Sequence, residues 1–291
     1  MQALIEGLHH YTISVADIDE SVRWYKDVLG FKLIYQNRRH DWGQVAYVQA
    51  PGFLLEMFEV PDPKPLPSYA AGPEPDTDLF VCGHKHFAIL HPSVREAVKQ
   101  LEALGANVGS FKEVSLEGVG TFRATFITDN GGYLIEVAEP QSSSGREEPN
   151  RATEKRPLAI MALHHVAISV PDREEAVQWY SEKFGFTVAT TFEIPAIGLR
   201  SAMMQGPGFW MEIHCMAGSV PVPEERRIPA TDVLTLGNKY FSLAVKDAGR
   251  AADALASTGV SIVASETTEW GHRVFVSDNS GIPIELFQLV N

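Results

Sequence analysis

The sequence predicts an α+β protein made of four β-α-β-β-β units, paired into two domains. In each domain a curled mixed sheet surrounds a cavity, with helices outside. Two repeats support this fold. Segments 8–33 and 163–188 are identical at half of their positions, and a weaker repeat restarts near His86 and Tyr240. One unit of roughly 60–70 residues buries too little surface to be stable alone, so we expect units to pair.

The first unit shows the pattern most clearly. Residues 8–15 alternate as a strand, and Asp17 is a candidate N-cap for a helix with one apolar face. Gly30-Phe31 follows this helix. Strand-like stretches then cover residues 32–36, 44–49 and 53–60.

The other three units repeat this order. Residues 86–90 are strand-like, Ser93 and Glu96 form a capping box, and Gly105 is a candidate helix stop. Further strands are expected near Val108 and at 121–128 and 132–138. In the second half we expect strands at 163–170 and 240–245, and helices at about 174–184 and 248–257.

A polar segment at 141–157 separates the two halves. It has no apolar periodicity and ends in proline, which is typical of an exposed linker. We therefore predict one domain at 1–140 and another at 158–291, each built from two consecutive units.

The composition indicates which cellular compartment and which binding partners to expect for this protein. The net charge of −13 over 291 residues argues against a general nucleic-acid or membrane binder. No apolar run reaches the roughly 18–20 residues of a membrane span. The start, MQALIEGLHH, lacks the features of a signal peptide, and Cys82 and Cys215 form no paired metal spacing. We expect a cytoplasmic protein that acts on a small molecule, without nucleic-acid or membrane partners; a homodimer is compatible with these features.

Four glutamates lie at positions where burial of a carboxylate would cost free energy. Each is flanked by apolar residues on the last strand of a unit, and a buried carboxylate needs a partner. They are Glu56, Glu136, Glu212 and Glu285.

Histidines on the first strands are candidate partners. Strand alternation places His10 on the more polar face of its strand and His86 opposite Phe87 and Ile89. The first half can thus offer His10, His86 and two glutamates. Such a set suits a divalent metal with open coordination positions, although either histidine alone could be a core residue.

The motifs LHHxxISVxD, WY, GF, KHFAIL and DNGGYLIE resemble the vicinal oxygen chelate superfamily, which includes glyoxalase I, extradiol dioxygenases and bleomycin-binding proteins. The resemblance implies one divalent metal (Fe, Mn, Ni, Co or Zn) per chain. The implied ligands are His10, Glu56, His86 and Glu136, of which Glu56 could instead be structural.

The second half departs from this pattern at one position. Tyr240 stands where the first half has His86, and a phenol with a pKa of about 10 is a poor ligand at neutral pH. We therefore expect a degenerate second site made of His165, Glu212, Tyr240 and Glu285.

Three activities remain open. The first is glyoxalase-like isomerase, epimerase or lyase chemistry on a substrate with neighbouring oxygens, with Glu136 or Glu56 as general base. The second is Fe(II)-dependent extradiol ring cleavage. Extradiol dioxygenases of the superfamily that the chain resembles have a catalytic tyrosine at the position where this chain has Phe126. The third is small-molecule binding without catalysis. Arg38, Trp42, Phe58 and Phe126 are candidate substrate contacts.

Overall fold

The computed structural model describes residues 4–39, 43–62, 78–116, 120–140 and 157–289. The first unit comprises β1 (Ile5–Val15), α1 (Ile18–Leu29), β2 (Lys32–Arg39), β3 (Gly43–Ala50) and β4 (Phe53–Glu59). The second comprises β5 (Gly83–Leu90), α2 (Val94–Ala103), β6 (Asn107–Val108), β7 (Lys112–Leu116), β8 (Gly120–Thr128) and β9 (Leu134–Ala138).

The second half repeats this order. The third unit comprises β10 (Ala162–Ser169), α3 (Arg173–Phe184), β11 (Thr187–Ile194), β12 (Leu199–Gln205) and β13 (Trp210–Met216). The fourth comprises the short α4 (Pro229–Asp232), then β14 (Gly237–Val245), α5 (Ala248–Ala256), β15 (Ser261–Thr267), β16 (Gly271–Ser277) and β17 (Pro283–Leu289). The predicted α+β class is confirmed.

The helix ends follow the sequence signals. Asp17 caps α1 by accepting a hydrogen bond from the Glu20 N–H at 2.8 Å, and Gly30 ends the helix in the left-handed region at φ 70°. Ser93 accepts from the Glu96 N–H at 3.4 Å, as the capping box predicts. Among the described residues, no helix is long and apolar enough to cross a membrane.

The strands form two open sheets. The eight-stranded sheet has the order β15-β16-β17-β14-β1-β4-β3-β2. The nine-stranded sheet has the order β11-β12-β13-β10-β5-β9-β8-β6, with β7 paired to β8. In each sheet the first strands of two units meet antiparallel at the centre: β1 with β14, and β5 with β10.

This pairing corrects the expected partnership of the units. The first unit shares a sheet with the fourth, and the second with the third, so each sheet is built from both halves of the chain. The predicted boundaries at 140 and 158 stay predictions, but the segment between them joins two units of the same sheet. All four units present a similar first strand, and therefore the repeat could not show which of them pair.

The two units of each half are instead joined by a helix-to-turn contact. The Tyr25 hydroxyl of α1 donates to Asp129 Oδ2 at 2.9 Å, in the turn before β9. The Tyr180 hydroxyl of α3 donates to Asp278 Oδ2 at 3.1 Å, in the turn before β17. Both aspartates also accept backbone N–H bonds within their turns. These turns are thus structural.

Candidate metal centres

Four candidate ligands meet on the central strands of the nine-stranded sheet. His86 lies on β5 and His165 on β10, the two strands that pair at its centre. Glu136 lies on β9 and Glu212 on β13, which flank them. One ligand atom of each residue lies within 4.8 Å of those of the others. We call these four residues the first centre.

The ligand atoms of the first centre converge on one small space. His86 Nε2 lies 3.2 Å from Glu136 Oε2, and His165 Nε2 lies 3.1 Å from Glu212 Oε2. The two Nε2 atoms are 3.4 Å apart. All four residues are buried, and Glu136 Oε1 has no hydrogen-bond partner among the described residues. Two imidazoles and two carboxylates in this arrangement fit a divalent cation.

The charges of the first centre are unbalanced. Among the described residues, the only basic side chains within 4.0 Å of the Glu136 and Glu212 carboxylates are histidines. Burial lowers the pKa of His165, but the two carboxylates outweigh it and raise that pKa to about 10. Burial raises the pKa of Glu136, but the neighbouring histidines hold it below its usual range. One proton on His165 does not neutralise two buried carboxylates, so the centre favours a further positive charge.

The eight-stranded sheet carries a second centre at the corresponding place. It consists of His10 on β1, Glu56 on β4, Tyr240 on β14 and Glu285 on β17. His10 Nε2 lies 3.2 Å from Glu56 Oε2 and 3.1 Å from Glu285 Oε2. Burial lowers the pKa of His10, but these two carboxylates raise it to about 9. Tyr240 occupies the position in the second centre that His86 occupies in the first centre.

The second centre contains its own cation. Arg273 Nη1 lies 3.9 Å from Glu285 Oε1, and Glu266 holds the guanidinium through Nε and Nη2 at 3.0 and 2.6 Å. The Tyr47 hydroxyl donates to Glu56 Oε1. With a guanidinium beside its carboxylates, this centre has less need for a metal ion than the first.

The predicted ligand set is divided between the two centres, which corrects the assignment made from sequence. His86 and Glu136 lie in the first centre, whereas His10 and Glu56 lie in the second. The residues of the expected degenerate site are divided in the same way, His165 and Glu212 in the first centre, Tyr240 and Glu285 in the second. The physical reason is the strand pairing, because β5 lies against β10 and not beside β1.

A second histidine supports each first-strand histidine. His164 Nδ1 lies 2.8 Å from His165 Nδ1, and His9 Nδ1 lies 2.7 Å from His10 Nδ1. Simple alternation would direct neighbouring residues to opposite faces, but both strands have a register shift at this point. A hydrogen bond at Nδ1 leaves the Nε2 atom of His165 directed into its centre.

His214 lies beside the first centre and was not among the residues predicted from the sequence. It lies on β13 two residues after Glu212, and its Nε2 is 3.5 Å from Glu212 Oε2. Burial lowers the pKa of His214 to about 4, so its imidazole is neutral at physiological pH. The signal was present in the segment MEIHC, since residues two apart on a strand share a face.

The four predicted substrate contacts have different outcomes. Phe126 pairs with Glu136 in register, and its ring centroid lies 5.3 Å from that of His86, at the first centre. Phe58 is buried on β4, two residues after Glu56 of the second centre. The backbone of Arg38 lies in β2, and Trp42 lies outside the described residues.

The fold and the first centre together define a class of protein in which paired β-α-β-β-β units enclose a buried cluster of histidine and glutamate. The sequence profile of the Glyoxalase/Bleomycin resistance protein/Dioxygenase superfamily matches residues 7–137 and 162–286. The chain belongs to this superfamily.

Two solved structures share the fold over almost the whole chain. Glyoxalase I from Zea mays covers 97% of this chain and 92% of its own, with a TM-score of 0.68 and 16% identity. A putative dioxygenase from Bacillus subtilis covers 99% of this chain and 86% of its own, with a TM-score of 0.64 and 13% identity. At these identities the similarity concerns the fold alone.

Curated relatives match parts of the chain. The uncharacterized protein YaeR of Escherichia coli is 28% identical over 139 residues, 46% of this chain and 97% of that protein. A probable chloroplastic lactoylglutathione lyase of Arabidopsis thaliana is 26% identical over 203 residues, 67% of this chain. The match spans 49% of that lyase's own length.

Proposed function

We propose that the chain is a metal-dependent enzyme of the glyoxalase type, which isomerises a small substrate bearing two neighbouring oxygens. The substrate class that we propose is the hemithioacetal of a 2-oxoaldehyde and a thiol. The lactoylglutathione lyases among the relatives motivate this choice. The observation that carries the proposal is the convergence of four buried ligand atoms within 4.8 Å of one another.

The first centre is the proposed metal site, with His86, His165, Glu136 and Glu212 as ligands. Its donors are the nitrogen and oxygen atoms that first-row divalent metals accept. The second centre is not proposed to bind metal, because Tyr240 replaces a histidine and Arg273 supplies a positive charge beside Glu285. We therefore propose one divalent ion per chain.

The protein side chains divide the remaining tasks. When bound, the metal ion would act as a Lewis acid toward the substrate oxygens. The isomerisation removes a proton from the carbon that bears sulfur and returns a proton to its neighbour, so it needs a base but no oxidant. We propose Glu212 as this base, because 8% of its side chain is exposed against 3% for Glu136. Glu56, the other base considered from sequence, lies in the second centre.

Extradiol ring cleavage is the alternative that we rank second. Iron(II) enzymes of that kind use two histidines and one carboxylate, whereas the first centre offers two carboxylates. Phe126 also stands against Glu136 and His86, where a phenol would be needed as a proton donor.

Metal analysis combined with two assays tests the proposal. The protein is stripped with EDTA, reloaded separately with Ni²⁺, Co²⁺, Zn²⁺, Mn²⁺ or Fe²⁺, and assayed with the hemithioacetal of methylglyoxal and glutathione. We expect one metal equivalent and metal-dependent formation of the thioester. Oxygen consumption with catechol by the Fe²⁺ form, without hemithioacetal turnover, would support the dioxygenase instead. Binding of small molecules with neither activity would support a non-catalytic protein.

A further inference from the structure

His214 is an ionisable side chain beside the first centre that the proposed metal site does not use as a ligand. His214 is buried, with 5% of its surface exposed, and its Nε2 atom has no hydrogen-bond partner among the described residues. That atom lies 3.5 Å from Glu212 Oε2, and the ring centroid lies 5.9 Å from that of His86. A buried nitrogen directed into a polar centre without a partner is costly unless something binds there.

The other edge of the His214 ring is fixed. Its Nδ1 lies 2.9 Å from the hydroxyl of Ser201, a fully buried residue that faces it in register on β12. This hydrogen bond holds the ring plane and directs Nε2 toward the ligands. The geometry is that of a positioned group, not of a side chain that merely fills space.

The other three units carry no polar residue at this position. Two residues after the last-strand glutamate, they have Phe58, Ala138 and Phe287. The fold therefore needs only an apolar side chain here. The histidine occurs in one of the two units that contribute to the first centre, directly beside its glutamate ligand Glu212.

The exposed edge of the first centre lies at His214. The side chains of His86, His165 and Glu136 are 0–3% exposed, whereas those of Glu212 and His214 are 8% and 7% exposed. A small molecule that contacts the ligands at this less buried edge would lie next to Glu212 and His214. The four ligand atoms of the first centre lie within 4.8 Å of one another, and His214 does not belong to this group. The Nε2 atom of His214 therefore lies beside the ligands and not among them.

We propose that His214 is a substrate-binding residue, whose Nε2 forms a hydrogen bond with an oxygen of the molecule bound at the first centre, and that Ser201 positions it. The ligand class is a small molecule with neighbouring hydroxyl or carbonyl oxygens. This inference rests on the proposed metal-binding function.

Cobalt substitution tests the inference without an enzymatic assay. Co²⁺-loaded protein is titrated with acetohydroxamate, a chelator with neighbouring oxygens, and binding is followed by the visible spectrum of the cobalt. The variants are His214→Phe, which copies the first and fourth units, His214→Gln and Ser201→Ala. His272→Gln is the matched control, because His272 pairs with the Ser265 hydroxyl at 3.1 Å in the other sheet.

We expect His214→Phe to retain one cobalt equivalent and the spectrum of the unliganded centre, but to bind acetohydroxamate about ten-fold more weakly. His214→Gln should recover part of this affinity, Ser201→Ala should lose a smaller part, and His272→Gln should match the wild type. If His214→Phe does not fold by circular dichroism, the other two variants decide.

Wild-type affinity for acetohydroxamate in the His214 variants overturns the inference. Loss of the cobalt equivalent also overturns it, since His214 would then be a metal ligand. Both results leave the proposed function intact, because the wild type still binds cobalt. A wild-type protein that binds no cobalt overturns the proposed function and this inference together.

Discussion

The Nε2 atoms of His86 and His165 lie 3.4 Å apart, although the two residues are 79 positions apart and come from different halves of the chain. Each lies on the first strand of its unit, and β5 pairs antiparallel with β10. The contact shows that neither half forms the first centre alone, because the centre takes one histidine and one glutamate from each.

Replacing either histidine should abolish metal binding at the first centre. We expect His86→Gln and His165→Gln each to lower metal affinity by more than the roughly 10–100-fold loss that follows changes next to a ligand. His10→Gln is the matched control and should keep one metal equivalent, since His10 lies in the second centre. The measurement is metal content after dialysis. Retention of metal by His165→Gln together with its loss in His10→Gln would contradict the assignment.

The second centre should become a metal site when its two differences from the first are removed. Tyr240→His restores the second imidazole, and Arg273→Ser removes the guanidinium that lies 3.9 Å from Glu285 Oε1. Ser201 corresponds to Arg273 in the third unit. Ser201 pairs in register with His214, and Arg273 pairs in register with Phe287. Both of these partners lie two residues after the last-strand glutamate of their unit. We expect the double variant to bind two equivalents of Zn²⁺ by calorimetry. Tyr240→His alone should bind one, and a second equivalent in that variant would show that Arg273 does not compensate charge.

Metal loading should release protons. In the metal-free protein the carboxylates raise the pKa of His165 to about 10, so this residue is protonated at pH 8. A ligand nitrogen must be neutral, and binding at pH 8 should therefore release about one proton per metal ion. Calorimetric titrations in buffers with different ionisation enthalpies measure this number. Metal binding that is independent of the buffer would show that His165 is already neutral.

Stability should depend on pH through the buried turn aspartates. Burial raises the pKa of Asp129 to about 6. Because the folded state binds this proton more tightly than the unfolded chain does, the contribution of Asp129 to stability increases as the pH falls from about 7 toward 4. Asp129→Asn keeps an acceptor for the turn N–H groups and removes the buried charge.

We expect Asp129→Asn to gain about 1–3 kcal/mol of unfolding free energy relative to wild type at pH 7, and to lose most of this advantage at pH 4.5. Urea unfolding of both proteins at the two pH values measures the difference. The exposed Asp253→Asn serves as the control. A gap between variant and wild type that does not change with pH would mean that Asp129 does not titrate in this range.

Local structure could be predicted from the sequence because it depends on near neighbours. The capping residues Asp17 and Ser93 begin their helices as predicted, and the turn at Asp129 is a structural turn. The residue types of the candidate ligands were also predictable, since a carboxylate between apolar residues requires a partner. His214 was not predicted, because a histidine present in only one of the four units gives no repeat signal.

The sequence by itself determined the four units, the faces of their strands and the histidines and glutamates that require a partner. The tertiary structure alone decided which of these residues meet. Any two first strands of this chain can pair antiparallel, because backbone hydrogen bonds do not distinguish similar strands. The observed pairing of β5 with β10 and of β1 with β14 gives one centre two histidines and leaves Tyr240 and Arg273 in the other.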